Sequence, residues 1–348
     1  MQQMEQVFSP AAGPPDGRRV TLDFQTLPKA EVHIHLEGCL DLDEVVALSA
    51  KAGLPLPRPR EELLRFEGLA DFLRVLDWIC GLYRTRDQIA AAAYGFSRRA
   101  KAAGALYADV IVNPTHWPHW RGDIPGFIGA LDAGFRAAEQ DGLPPCGLCI
   151  SLLRQQSGEE AIELVEQLAS LRHPRVVALS VDGDEKLAER TGPRFAEAFR
   201  RAGAAGLKRT VHAGESSGPE GVRDALDFLQ ADRIDHGVRA IEDDALVARL
   251  ADEQVPLGVC PSSNLALGLY ARLDEHPIER LRKAGVPVCV NTDDPALLEI
   301  DLPGEYARCA AAFGWSAEVC RNLAATSIRA SFADAAAKTR MLEKVAAW

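Results

Sequence analysis

No run of apolar residues in this 348-residue sequence reaches the roughly 18 that a membrane-spanning helix requires. The opening stretch is rich in proline, glycine and polar residues and lacks the apolar segment of a secretory signal. Residues 1–19 are therefore expected to form a disordered lead-in, and the cytoplasm is the simplest location. Cysteine is sparse. The eight (Cys39, Cys80, Cys146, Cys149, Cys260, Cys289, Cys309 and Cys320) show no dense framework, and a chain this long needs no disulfide staples. Positive charge is also short: 39 Lys and Arg stand against 50 Asp and Glu, a formal net charge of −11. Such a surface repels phosphate backbones, which argues against nucleic acid as a partner, as the lack of apolar runs argues against a membrane. Small neutral or cationic substrates stay open. Oligomeric state is not readable.

Short apolar runs alternate with helical patterns from Ala30 onward. Strands are expected at 31–36, 106–112, 146–152, 176–181, 209–212, 233–236, 257–260 and 286–290, with helices at 158–170, 193–204, 218–230 and 243–253 between them. Eight strands separated by helices fit a (β/α)₈ TIM barrel or a doubly wound sheet. No GxGxxG follows the first strand, and unusual polar residues fall at the ends of five strands, where barrel enzymes place their sites. The barrel is the expected fold, one domain over 20–348. The long first connection leaves room for a helical insertion at about 40–85, including a helix over 69–82, which would form a pocket wall or lid.

Four segments carry chemistry. In Glu31-Val32-His33-Ile34-His35-Leu36-Glu37-Gly38, strand alternation turns His33 and His35 to one face and Val32, Ile34 and Leu36 to the other. Two imidazoles so placed can grip one metal ion or simply hydrogen-bond. Val211-His212-Ala213-Gly214-Glu215 sets a histidine at a strand end and a carboxylate just past a glycine bend, and Asp235-His236-Gly237 repeats the histidine before a glycine. Asn291-Thr292-Asp293-Asp294-Pro295 puts two carboxylates after the last strand. Each alone reads equally as a turn or a helix cap. Together they bring four of the eight histidines and paired aspartates to four strand ends, a mixed nitrogen and oxygen set that suits an open catalytic zinc site. The CxxC spacing of Cys146 and Cys149 falls within a strand, where positions three apart face opposite ways.

These segments, with Cys260-Pro261-Ser262-Ser263-Asn264, occur in the order found in the adenosine deaminase family of the amidohydrolase superfamily, and the sequence resembles that family over about 28–345. The resemblance implies a barrel with one Zn2+ per chain at its C-terminal mouth, held by His33, His35, His212 and Asp293. It implies Glu215 as proton donor to the ring nitrogen, and His236, with Asp293, as the group that orients the attacking water. It places Asp294 at the imidazole part of a purine, Gly183 at the pyrimidine edge, and Phe72, Leu73 and Leu76 in an apolar flap; helix packing is the plain alternative for those three. The fourth strand ends in Ser180-Val181-Asp182, without the lysine that bridges two metals in related hydrolases.

The implied reaction is hydrolytic loss of the 6-amino group from a purine. Adenosine, or a related 6-aminopurine nucleoside, is the first expectation. Adenine is the second, followed by a modified nucleoside such as aminodeoxyfutalosine. Adenosine deaminases usually carry aspartate where this chain has Glu37, whose longer side chain would fill space that a ribose occupies. A different hydrolase of the superfamily and a non-catalytic binding protein are the remaining readings. The segment Pro114-Thr115-His116-Trp117-Pro118-His119-Trp120 matches no motif of the family and would either contact substrate or cap the barrel.

Overall fold

A computed structural model of the chain describes residues 22–188 and 192–348; the expected disordered lead-in lies outside them. Eight strands pair in sequence order and all in parallel: β1 (Lys29–His35), β2 (Ala105–Val112), β3 (Cys146–Leu153), β4 (Val176–Asp182), β5 (Lys208–Ala213), β6 (Arg233–His236), β7 (Leu257–Val259) and β8 (Val288–Val290). They form a nearly closed (β/α)₈ barrel with helical insertions, as the alternation of elements predicts. The β2 and β3 sequences are almost wholly buried, because a parallel sheet is covered on both faces.

The seam between β8 and β1 is held differently from the other strand pairs. One bridge joins Ile34 to Asp293, with His35 N donating to Asp293 O at 2.8 Å and Asp293 N to His33 O at 3.2 Å. Side chains supply the rest. Asn291 Oδ1 accepts from Val32 N at 2.8 Å, and Glu31 Oε1 accepts from Thr292 N and Thr292 Oγ1 at 3.1 and 2.6 Å. Burial pushes the Glu31 carboxyl up to about 7.

Between β1 and β2 lie three helices, α1 (Leu42–Ala52), α2 (Leu69–Cys80) and α3 (Arg86–Ala102). Asp41 caps the start of α1, and Thr85 forms a capping box with Gln88 at the start of α3. The next helix, α4 (Ile124–Gln140), packs tightly on α3: a Cβ at Gly134 would stand 2.1 Å from the Ala90 carbonyl oxygen, so only glycine admits that approach. Helix α2 buries Phe72, Val75, Leu76, Ile79 and Cys80, the three- and four-residue spacing of one helical face.

The main core lies between the outer faces of the strands and the helices, and takes in Val32, Ile34 and Leu36 of the first segment. Inside the barrel the packing is unlike that core. Arg233, Asp109 and Asp235 are all fully buried; Arg233 Nη1 lies 2.6 Å from Asp109 Oδ2, and Nε lies 3.2 Å from Asp235 Oδ1. The guanidinium sits 4.3 Å over the Phe332 ring. A separate small cluster of Ile111, Cys149 and Ala178 fills in beside them. Cys149 thus points inward, while Cys146 meets Ser97 of α3 outside the barrel, as strand alternation requires. All eight cysteines are buried and unpaired. Among the described residues no helix is long and apolar enough to cross a membrane.

Candidate active site

The site is assembled at the C-terminal ends of the strands. Alternation along β1 points His33 and His35 into the barrel mouth; β5 contributes His212, β6 ends on His236, and Asp293 follows β8. His236 and Asp293 both take left-handed backbone conformations, with φ of 67° and 66°. Such strain costs roughly 1–3 kcal/mol per residue and persists where the surrounding structure enforces it.

Donor atoms converge on one point. His33 Nε2 and His35 Nε2 each lie 3.0 Å from His212 Nε2, and they stand 3.2 and 3.3 Å from Asp293 Oδ1. Donors at about 2.0–2.1 Å from one ion stand about 3–3.5 Å apart, so this spacing fits a single divalent cation. His33, His212, His236 and Asp293 also offer atoms within 4.8 Å of one another, so His236 stands at the edge of the same cluster. Burial opposes a charged His35, yet Asp293 and Asp294 outweigh it and raise its pKa well above the ordinary imidazole value. His33 Nδ1 lies 2.7 Å from Gly258 O, which can only accept, so Nδ1 carries the proton and Nε2 presents its lone pair to the centre. His212 Nδ1 faces Asp235 Oδ2 at 3.7 Å, and Thr210 Oγ1 and Arg233 anchor that carboxylate from the barrel interior.

Glu215 stands beside this cluster, its Oε1 3.4 Å from His236 Nε2. Burial, reinforced by Asp293 and Glu185, raises its pKa well above the usual carboxylate value. Its position comes from Glu185, whose carboxylate accepts from the backbone N–H groups of Gly214, Glu215, Ser216 and Ser217 and from Ser217 Oγ. Ser263 Oγ donates to Asp293 Oδ2 at 2.7 Å. Asp294 is buried against Gly38, where a Cβ would stand 2.0 Å from Asp294 Oδ1. Burial and the neighbouring Asp293 push Asp294 up to about 8.

Glu37 is fixed through one oxygen. Its Oε1 accepts from Asn113 N at 2.8 Å and from the Trp117 indole at 2.7 Å, while Oε2 has no partner. Asn113 Nδ2 also donates to Asp182 Oδ1 at 2.6 Å, and Asp182 Oδ2 faces His35 Nδ1 at 3.9 Å. Glu37 Oε2 and Asp294 Oδ1, two buried carboxylate oxygens without a hydrogen-bond partner, thus come from residues that line one pocket. Its apolar wall is Leu69, Phe72, Leu73 and Leu76 of α2, together with Leu267 and Leu298.

Every residue to which the resemblance gives a role lines this pocket except His33, which lies beneath it, fully buried. The unassigned tryptophan segment divides. His116 lines the pocket and bonds Asp77 Oδ1 at 2.6 Å, Trp117 holds Glu37, Trp120 donates to Tyr83 O, and His119 is exposed. Sequence reasoning gave no role to Glu185, Asp235, Asn113 or Ser263. Arg233 and Asp235, two apart in a strand, share one face, but charged residues so placed read equally well as a solvated edge.

A parallel barrel with a His, His, His and Asp cluster at the C-terminal mouth and a protonatable carboxyl beside it is a metal-dependent hydrolase. The profile of the adenosine deaminase family matches residues 28–348, and the chain belongs to that family. It is 36% identical to an adenine deaminase of Sinorhizobium medicae, over 91% of this chain and 97% of the relative. It is 34% identical to an aminodeoxyfutalosine deaminase of Streptomyces avermitilis, over 95% of each. The crystal structure of an adenine deaminase from Arthrobacter aurescens superposes with a TM-score of 0.86 at 32% identity, over 92% of this chain and 98% of that one. An amidohydrolase from Burkholderia ambifaria with bound zinc gives the same TM-score at 26% identity, over 98% of this chain and 99% of that one. The chain is therefore a metal-dependent purine deaminase, and the relatives favour the second substrate expectation over the first.

Proposed function

We propose that this protein is a zinc-dependent adenine deaminase, converting adenine and water to hypoxanthine and ammonia. The observation that carries the reading is the buried Glu37, locked by Trp117 and Asn113 with its second oxygen unpartnered. Free adenine carries an N–H on its imidazole ring, whereas adenosine has a ribose in its place. A fixed, buried carboxylate oxygen gains a partner from the first and is crowded by the second. The adenine deaminases at 36 and 32% identity support the same choice.

His33, His35, His212 and Asp293 would hold the ion. A divalent cation held there would supply an acidified water, its pKa brought from about 16 towards about 7, and the mixed nitrogen and oxygen donors suit zinc. The protein's own groups do the rest. Glu215, kept protonated by burial, gives its proton to the ring nitrogen beside the amino-bearing carbon and so makes that carbon electron-poor. His236 directs its Nε2 toward Glu215 Oε1 and Asp293 Oδ2, at 3.4 and 3.8 Å, and orients the incoming water. Asp294 and the Gly183 backbone meet the two edges of the purine, and Phe72 and Leu76 shield it from solvent. The water oxygen bonds to that carbon, a proton from the added water passes to the amino group, and the carbon–nitrogen bond breaks to release ammonia.

Ammonia release should be followed with adenine, adenosine and aminodeoxyfutalosine as substrates. We expect kcat/KM for adenine to exceed that for either nucleoside by about 10- to 100-fold. A nucleoside turned over faster than adenine would overturn the assignment.

A further inference from the structure

Asn264 and His276 take no part in the chemistry described above, yet both are fully or almost fully buried beside it. Asn264 follows Ser263 in the short helix Pro261–Ala266, and His276 precedes the helix Ile278–Lys283. They form a chain that ends on His236. Ile278 N lies 3.3 Å from His276 Nδ1, His276 Nε2 lies 3.1 Å from Asn264 Oδ1, and Asn264 Nδ2 lies 3.2 Å from His236 Nδ1.

The direction of this chain is set at its far end. A backbone N–H can only donate, and the Ile278 N–H, at the start of a helix, has no partner within that helix. His276 Nδ1 must therefore accept. Burial pushes His276 down to about 3, so the ring is neutral and its single proton sits on Nε2. That proton is donated to Asn264 Oδ1, which fixes the amide with its NH₂ toward His236. His236 Nδ1 must then accept, and the proton of its neutral ring is placed on Nε2, facing Glu215 and Asp293. His33 has the opposite arrangement, with the proton on Nδ1 and the lone pair on Nε2.

We propose that His276 and Asn264 are positioning residues that fix His236 as an Nε2–H donor. A protonated Nε2 has no lone pair for a cation, so the relay excludes His236 from the coordination shell and leaves that place to His35. It also keeps one donor permanently aimed at the point where the oxygen nucleophile must sit. The kinetic consequence rests on the deaminase reading; the proton's location does not.

The test compares His276→Leu, which removes the donor, with His276→Gln, whose side-chain amide can still donate to Asn264. Long-range 15N–1H correlation spectra, tractable with eight histidines in the chain, report which ring nitrogen of His236 carries the proton. We expect Nε2–H in the parent protein and in His276→Gln, and Nδ1–H or a mixture in His276→Leu. The His276→Leu variant should lose about 10- to 100-fold in kcat with little change in KM, the scale of losses from groups that orient a metal site, and His276→Gln should recover most of it. A parent spectrum with the proton on Nδ1 of His236 would overturn the proposal. So would equal damage in the two variants with His236 still Nε2–H in both, since packing would then be the cause. If the parent deaminates no purine, the functional reading fails while the spectra still decide the relay.

Discussion

Glu215 is the residue on which proton supply turns. It is nearly buried, stands beside Asp293, and is held on a loop that Glu185 ties down through four backbone N–H groups. A carboxyl in that setting keeps its proton to higher pH than a free glutamate does, and it acts as an acid only while it holds it. Activity should therefore decline as pH rises through the raised pKa of Glu215. Glu215→Gln should lower kcat by about 100- to 10,000-fold while still binding one metal ion per chain, measured by steady-state kinetics and elemental analysis. A variant that keeps parental turnover would remove Glu215 from the acid role. The residues of this centre were readable because strand alternation and chain order placed chemically unusual side chains at strand ends. Glu185, His276 and the part played by Asn264 were not, because what defines them is a partner brought in from another loop. No spacing in the sequence announces that His276 will meet Asn264 or that Glu185 will cap residues 214–217.

Elements were legible where their burial is uniform. The strands expected at 106–112, 146–152 and 233–236 match β2, β3 and β6 to within one residue, since wholly apolar or alternating runs leave little choice of register. The strands expected at 257–260 and 286–290 are three residues each, β7 and β8. Cys260 already leads into a helix, and beyond β8 the side chain of Asn291 takes over pairing with β1, a substitution that propensity cannot reveal. The turn after β1 shows how tightly the elements are fitted. Gly38 leaves room for Asp294, and its carbonyl accepts from Ala296 N at 2.8 Å. A methyl group there must displace Asp294 or the backbone after β8. Gly38→Ala should lower kcat/KM by roughly 100-fold, the scale of a misplaced contact group. It should also destabilise the fold by about 1–3 kcal/mol through overpacking, read from chemical denaturation. Parental activity in that variant would show that Asp294 can shift without consequence.

At the scale of the molecule the barrel is unusual inside rather than outside. Arg233 serves two carboxylates, Asp109 and Asp235, and Asp235 in turn faces His212, so the charged interior supports the mouth. Order and number of strands were legible, because short apolar runs alternated with helical patterns between most of them. The ion triad was not, since charged residues in a strand read equally well as a solvated edge. Removing the cation while keeping the bulk, as in Arg233→Met, leaves two buried carboxylates without their counter-ion. A loss of about 3–5 kcal/mol in unfolding free energy is expected by urea denaturation, together with about 10- to 100-fold weaker metal binding through the loosened His212. Undiminished stability would mean the triad is dispensable. The two ends of the ring meet at a join stitched by one backbone bridge and the side chains of Asn291 and Glu31. His33 and His35 stand on one bank of that join and Asp293 on the other, so an ion gripped by all three spans it like a buckle. Fraying of either bank would loosen the ion, and each ion captured would draw the banks together; loading and closure are then a single equilibrium.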